Sequence, residues 1–206
     1  MSEAIKDTQT TKVNSKYRTL PFFWQFLLGV NAMLVTGLVI YKVFNIGLFF
    51  NYIPIEQEYF YLSFALLIPF VFILFPANKH CSKEKVPWYD AVIFTVMLII
   101  GLICVFKTRR IMDYGWDYLA PEWAKWMALL LWIFLLEAVR RAAGLAVFIV
   151  VLVASLYPWY GGLSFLGVFE IPSTSLLKTA QYHVFGSESI VGIPFRALVN
   201  IVLGFL

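Results

Sequence analysis

The chain has 206 residues, 61% of them hydrophobic and only 14% charged, with a net charge of +4. Soluble domains carry about 25% charged residues, so a mean hydropathy of +0.80 excludes a water-soluble globular protein and leaves lipid as the solvent. The basic residues lie in short stretches between apolar runs, which assigns them to membrane topology and excludes a nucleic-acid-binding patch.

Crossing the hydrocarbon core takes about 20 mostly apolar residues. Residues 1–20 form a polar tail, expected in the cytoplasm. Pro21–Tyr41 is the first apolar run, Tyr59–Pro76 the second, and Ala91–Phe106 the third, extended at one end by Trp88 and Tyr89. Trp123–Leu136 is the fourth and shortest, reaching spanning length only if it continues into Glu137–Arg141. Gly144–Tyr160 is the fifth and Ile190–Leu206 the sixth. Backbone in lipid must satisfy its own hydrogen bonds, and the runs are apolar on every face, so they are helices and not barrel strands. The first run follows a long polar tail and no small-residue cleavage pattern comes after it, so it is a retained anchor and not a signal peptide. The fold class expected is an all-α, polytopic integral membrane protein of about six spans plus one amphipathic interfacial helix.

Orientation follows from the basic residues. Lys6, Lys12, Lys16 and Arg18 in the tail, Lys79, Lys83 and Lys85 after the second run, and Arg140 and Arg141 after the fourth fall on one side. The positive-inside rule makes that side cytoplasmic. The connection holding Lys107, Arg109 and Arg110 opposes this, although Asp113, Asp117 and Glu122 balance it. Trp24, Trp88, Trp123, Trp126 and Trp159 mark span ends, where amphipathic rings prefer the headgroup layer. Cys81 and Cys104 lie in a loop and in a span, which argues against a disulfide between them.

Ionisable groups inside a membrane are expensive and mark functional paths. The central parts of all the runs lack them: Asp90 and Glu137 stand at span edges and Arg196 in the last run. The neutral polar residues Asn31, Thr36, Ser63, Thr95, Ser155 and Asn200 are expected to hydrogen-bond between helices. No catalytic, cofactor-binding or metal-ligating pattern is found, and there is no Gly-rich loop ending in Lys-Ser or Lys-Thr for ATP. Between Gly161 and Ser189, Ser173 is the expected cap of a short helix with Leu176, Leu177, Ala180 and Val184 on one face, Lys178 and Gln181 elsewhere, and His183 packed on the apolar side. Gly192 and Pro194 are expected to interrupt regular helix at the sixth span's entrance.

The stretch Leu135-Leu136-Glu137-Ala138-Val139-Arg140-Arg141-Ala142-Ala143-Gly144, with Tyr157-Pro158-Trp159-Tyr160-Gly161 after the next span, resembles the fused permeases of tripartite ATP-independent periplasmic (TRAP) transporters, in the group that works with TAXI-type binding proteins. Ser187-Glu188-Ser189-Ile190-Val191-Gly192-Ile193-Pro194 is similar to the entrance of a membrane helix in their large part. The resemblance is specific over residues 135–206 and weaker before them, where Phe75-Pro76-Ala77 and the pattern of runs match; Arg196 departs from the family's small or apolar residue.

The resemblance implies a small four-helix part at 21–143 and, at 144–206, the beginning of a large twelve-helix part. It implies a secondary transporter in the bacterial inner membrane that takes small organic anions such as carboxylates from a periplasmic TAXI-type substrate-binding protein and is driven by a sodium gradient. The family-motif positions it marks are Glu137, Arg140, Arg141, Gly144, Glu188, Gly192 and Pro194. The apolar end at Ala197–Leu206 leads to the expectation that the remainder of the large part is missing and that these residues alone do not transport. A non-catalytic membrane scaffold is the competing expectation; an enzyme using His183, Glu188 and Arg196 is disfavoured, because nothing in the sequence sets them out as nucleophile, base and stabiliser.

Overall fold

The computed structural model describes residues 17–49, 51–78, 85–163, 171–190 and 192–203. Among these residues the secondary structure is entirely helical. The helices are α1 (Phe22–Val43), α2 (Glu56–Leu67), α3 (Phe70–Leu74), α4 (Trp88–Asp113), α5 (Trp116–Leu119), α6 (Glu122–Ala143), α7 (Leu145–Ser155), α8 (Tyr157–Tyr160), α9 (Leu176–Phe185) and α10 (Ile193–Ala197). A 3₁₀ turn, Ile46–Leu48, follows α1, and a π-helical stretch, Leu198–Leu203, follows α10.

Three helical segments are long and apolar enough to cross a membrane: Phe22–Val43, Glu56–Leu74 and Trp88–Asp113. The last, at 26 residues, extends about 39 Å at 1.5 Å per residue. Pro69 divides the second segment into α2 and α3, because proline offers no amide hydrogen to continue the helical ladder. α6 does run through Glu137–Arg141, for 22 residues in all, though its charges set it apart from the three apolar spans. α7 is shorter, at 11 residues.

The core forms where α2, α4, α6 and α9 meet. Tyr61, Phe64, Met97, Leu131 and Val184 are buried in it. α2 and α4 approach closely because Gly101 faces Ala65: a Cβ on Gly101 would stand 2.7 Å from the Ala65 Cβ. Without a hydrophobic force between helices in lipid, such small-residue contacts let dispersion hold the pair. α1 lies at the margin, with Phe22, Phe26, Met33 and Phe44 exposed, and joins a second cluster through the Trp24 and Phe94 rings, 5.5 Å apart.

Several local expectations change. The cap of α9 is Ser175, not Ser173: its Oγ accepts from the Lys178 amide at 3.3 Å, one of the orphan donors of the first turn. α9 packs against α5 and α6, so Gln181, placed off the apolar face by its spacing, is completely buried, while Leu176 is exposed. The hydroxyls of Thr36, Ser63, Thr95 and Ser155 donate to the carbonyls of Ala32, Tyr59, Ala91 and Leu152, within their own helices and not across to neighbours. A carbonyl three or four residues back lies within reach of a short hydroxyl side chain, so the bond forms locally. Pro194 stands second in α10, where a missing amide hydrogen leaves no bond broken; the irregularity falls later, in the π-helical Leu198–Leu203.

Candidate functional site: a buried ion chain

Arg18, Asp90 and Arg141 lie far apart in sequence yet meet at one end of the helices. Asp90 is in the first turn of α4, where the positive end of the helix dipole favours a carboxylate. Arg140 and Arg141 are in the last turn of α6, where the dipole favours cations. Arg18 approaches from the segment before α1. Its guanidinium donates to Asp90 Oδ2 at 2.6 Å, and Arg141 donates to Asp90 Oδ1 at 2.8 Å, so the two carboxylate oxygens serve one arginine each. The Arg18 and Asp90 side chains are 0% exposed and that of Arg141 is 3% exposed.

The chain continues along α6. Arg141 Nε donates to Glu137 Oε1 at 2.8 Å, and Arg140 holds both Glu137 oxygens at 2.6 Å. Glu137 precedes the arginines by three and four residues, the spacing and order that favour pairing on a helix. The planar guanidinium suits a two-pronged bond to a carboxylate.

Other donors of the arginines tie in backbone, while the buried Arg18 Nε has no hydrogen-bond partner among the described residues. The end of α3 leaves carbonyls without helical partners. Phe72 O accepts from Arg18 Nη1 at 3.0 Å, Leu74 O from the Arg18 amide at 2.9 Å, and Ala77 O from Arg140 at 3.0 Å. The Arg141 guanidinium carbon also stands 4.8 Å from the centre of the Phe72 ring, within cation–π range. Four stretches of sequence are thus fastened together: the segment before α1, the end of α3, the start of α4 and the end of α6. Three arginines balance two carboxylates, which leaves one net positive charge beside the bundle end. Each buried charge is paired, so the arrangement can hold helices in place.

Of the sequence-marked positions, Glu137, Arg140 and Arg141 belong to this chain of ions. Gly144 follows at once, with φ +93°, the joint at which α6 ends and α7 begins. A side chain is strained in that conformation, so glycine is required there. Glu188, Gly192 and Pro194 are not in the ion chain. Glu188 is exposed on a turn after α9, Gly192 is buried against the Ser187 carbonyl where a Cβ has no room, and Pro194 belongs to α10. Arg196, also in α10, pairs with Glu56 of α2 at 3.4 Å, both half-exposed. Sequence reasoning missed Arg18 and Asp90 as partners. The available signal was a lone aspartate at the start of an apolar run, on the side where three basic segments were expected to gather.

No protein-family model matches the chain, and comparison with curated proteins and with solved structures finds none similar to it.

Proposed function

We propose that this chain is the membrane-embedded bracing portion of a binding-protein-dependent, ion-gradient-driven secondary transporter for small organic anions such as carboxylates, of the TAXI-type TRAP class. The observation that carries the reading is the buried ion chain. It makes one end of α3, α4 and α6 a rigid unit, and the glycine joint at Gly144 then passes the chain to a further apolar helix. A transporter in which one part moves needs a second part that stays fixed, and paired internal charges suit the fixed part. In this reading α6, α7 with α8, and the stretch from α10 onward complete about six spans in the bacterial inner membrane. The ion chain lies at the cytoplasmic end, sodium is the coupling ion, and a periplasmic TAXI-type protein delivers the substrate.

The decisive experiment is uptake into proteoliposomes holding the permease that contains this chain. Accumulation of a radiolabelled dicarboxylate should need both the purified binding protein and an inward sodium gradient. Uptake that proceeds without the binding protein overturns the assignment. A second reading, a non-catalytic membrane scaffold, is favoured by the pairing of the buried charges Arg18, Asp90 and Arg141 with one another. It predicts no uptake under any gradient, and co-purification of an assembled membrane complex that falls apart when the chain is deleted.

A further inference from the structure

His183 is the one described histidine, and the ion chain makes no use of it. Its ring stacks on Trp132 of α6, with centroids 6.0 Å apart and 18° between the planes. Its Nε2 lies 2.6 Å from the Ser155 carbonyl at the end of α7, and its Nδ1 lies 2.6 Å from Ser189 Oγ in the turn that leads to α10. A carbonyl only accepts, so Nε2 carries the proton, and Nδ1 therefore accepts from the Ser189 hydroxyl in the neutral ring. One imidazole thus touches three elements besides its own helix: α6, the end of α7, and the turn at 186–190.

We propose that this joint is a proton-operated fastener: binding of a proton by His183 releases the Gly186–Ile190 turn from α7, so that the approach to α10 opens in mildly acid surroundings.

The surroundings of the ring favour its neutral form. Trp132 and Ser155 bring no charge to it. On its own helix Tyr182 lies 6.0 Å away and Lys178 is exposed; on the turn Glu188 is exposed. α5 brings Asp117 and Tyr118 to the Tyr182 side, α8 carries Tyr157 and Tyr160, and Tyr61 of α2 donates its hydroxyl to the Val184 carbonyl. None of these carboxylates hydrogen-bonds the imidazole. The Ser189 hydroxyl can turn to accept from a protonated Nδ1, so a second proton need not break a hydrogen bond; what it meets is the loss of hydration, unpaid by any counter-ion. Burial accordingly lowers the His183 pKa, with the Ser155 carbonyl opposing in part. A base whose folded pKa is depressed contributes stability that is complete above its free value, about 6.5, and is lost as the pH falls through the folded value.

If only the open turn takes up the proton, the opening equilibrium grows by about tenfold between pH 7.5 and 5.5, from the free imidazole pKa of about 6.5. Hydrogen–deuterium exchange of the protein in nanodiscs, analysed as protection factors, should show that loss at residues 186–190 and not in α4. His183→Gln keeps one donor for Ser155 and one acceptor for Ser189 but does not titrate, so it should abolish the pH response. Wild-type protection that holds within about twofold at pH 5.5, or an equal loss in H183Q, overturns the proposal. A second measurement covers the case in which H183Q does not fold. In a His80→Gln background, ¹⁵N-histidine NMR should show the Nε2-protonated neutral ring at pH 7.5 and an imidazolium at pH 5.5 appearing together with the loss of protection. An imidazolium already present at pH 7.5, or one that forms with the turn still protected, refutes it.

Discussion

Replacing Asp90 with asparagine keeps the shape of the side chain and removes the charge that two buried arginines share. Arg18 and Arg141 would then face each other across an amide, with side chains 0% and 3% exposed. Removing one partner of a buried ion pair costs about 3–5 kcal/mol, because the other is left uncompensated. At about 2–4 °C per kcal/mol for a chain of this size, the melting temperature should fall by about 6–20 °C. A suitable assay uses Cys104, which is 1% exposed in the core, as a reporter: in a Cys81→Ser background a thiol-reactive dye labels it only on unfolding. Glu122→Gln is the control. Its pair with Lys125 is at the surface, the carboxylate 77% exposed, and such pairs contribute less than about 1 kcal/mol. If D90N melts within about 3 °C of the parent, or no lower than E122Q, the shared counter-ion reasoning is refuted. The combined replacement R18M/D90L/R141M should recover most of the loss, since an apolar filling of such a site is often neutral or stabilising by about 1–4 kcal/mol.

Gly101→Leu should drive α2 and α4 apart at Ala65 and lower stability by about 1–3 kcal/mol, read by the same dye assay; Gly101→Ala should do so to a smaller extent. Gly144→Ala meets open space, so its cost of about 1–3 kcal/mol comes from the positive φ alone, and a D-alanine introduced there by semisynthesis should be tolerated. His183→Gln should flatten the acid limb of the stability profile below about pH 6.5, whatever its effect on the height of the plateau.

Three of the apolar helices were legible in the sequence because lipid imposes a length and a composition that single runs reveal. Phe22–Val43 lies close to where hydropathy puts it, whereas the helix from Trp88 continues past Phe106 to Asp113, so Lys107, Arg109 and Arg110 belong to the helix and not to the connection after it. The division at Pro69 follows from a residue type, although the second run reads as continuous. α9 was legible as a helix but not in its setting. Its spacing matches an interfacial helix, and only the positions of α5 and α6 turn that face inward and bury Gln181 with it. Neutral hydroxyls gave no hint of their partners, since a bond across helices and a bond to the preceding turn need the same residue.

The ion chain shows why charge is harder to read than hydropathy. Counting Arg18 and Arg141 as basic residues beside a span orients the helices, and for that purpose each counts as a free interfacial charge. In the folded chain both are spent on Asp90, which is 72 residues from one and 51 from the other. The pairing depends on where helix ends converge, which no local pattern encodes. One observation links the two: a carboxylate at the N-terminal end of an apolar helix sits on the side where arginines gather, so it meets them if the helices pack closely. Burial then changes the meaning of those arginines. Arg140, with its side chain 32% exposed, keeps some contact with the surroundings, whereas Arg18 and Arg141 have given up solvent and headgroups for Asp90. Neutralising Arg18 should therefore reduce stability far more than it disturbs orientation. Neutralising an unpaired lysine of the same side should do the reverse, which glycosylation-site mapping combined with the Cys104 dye assay can separate.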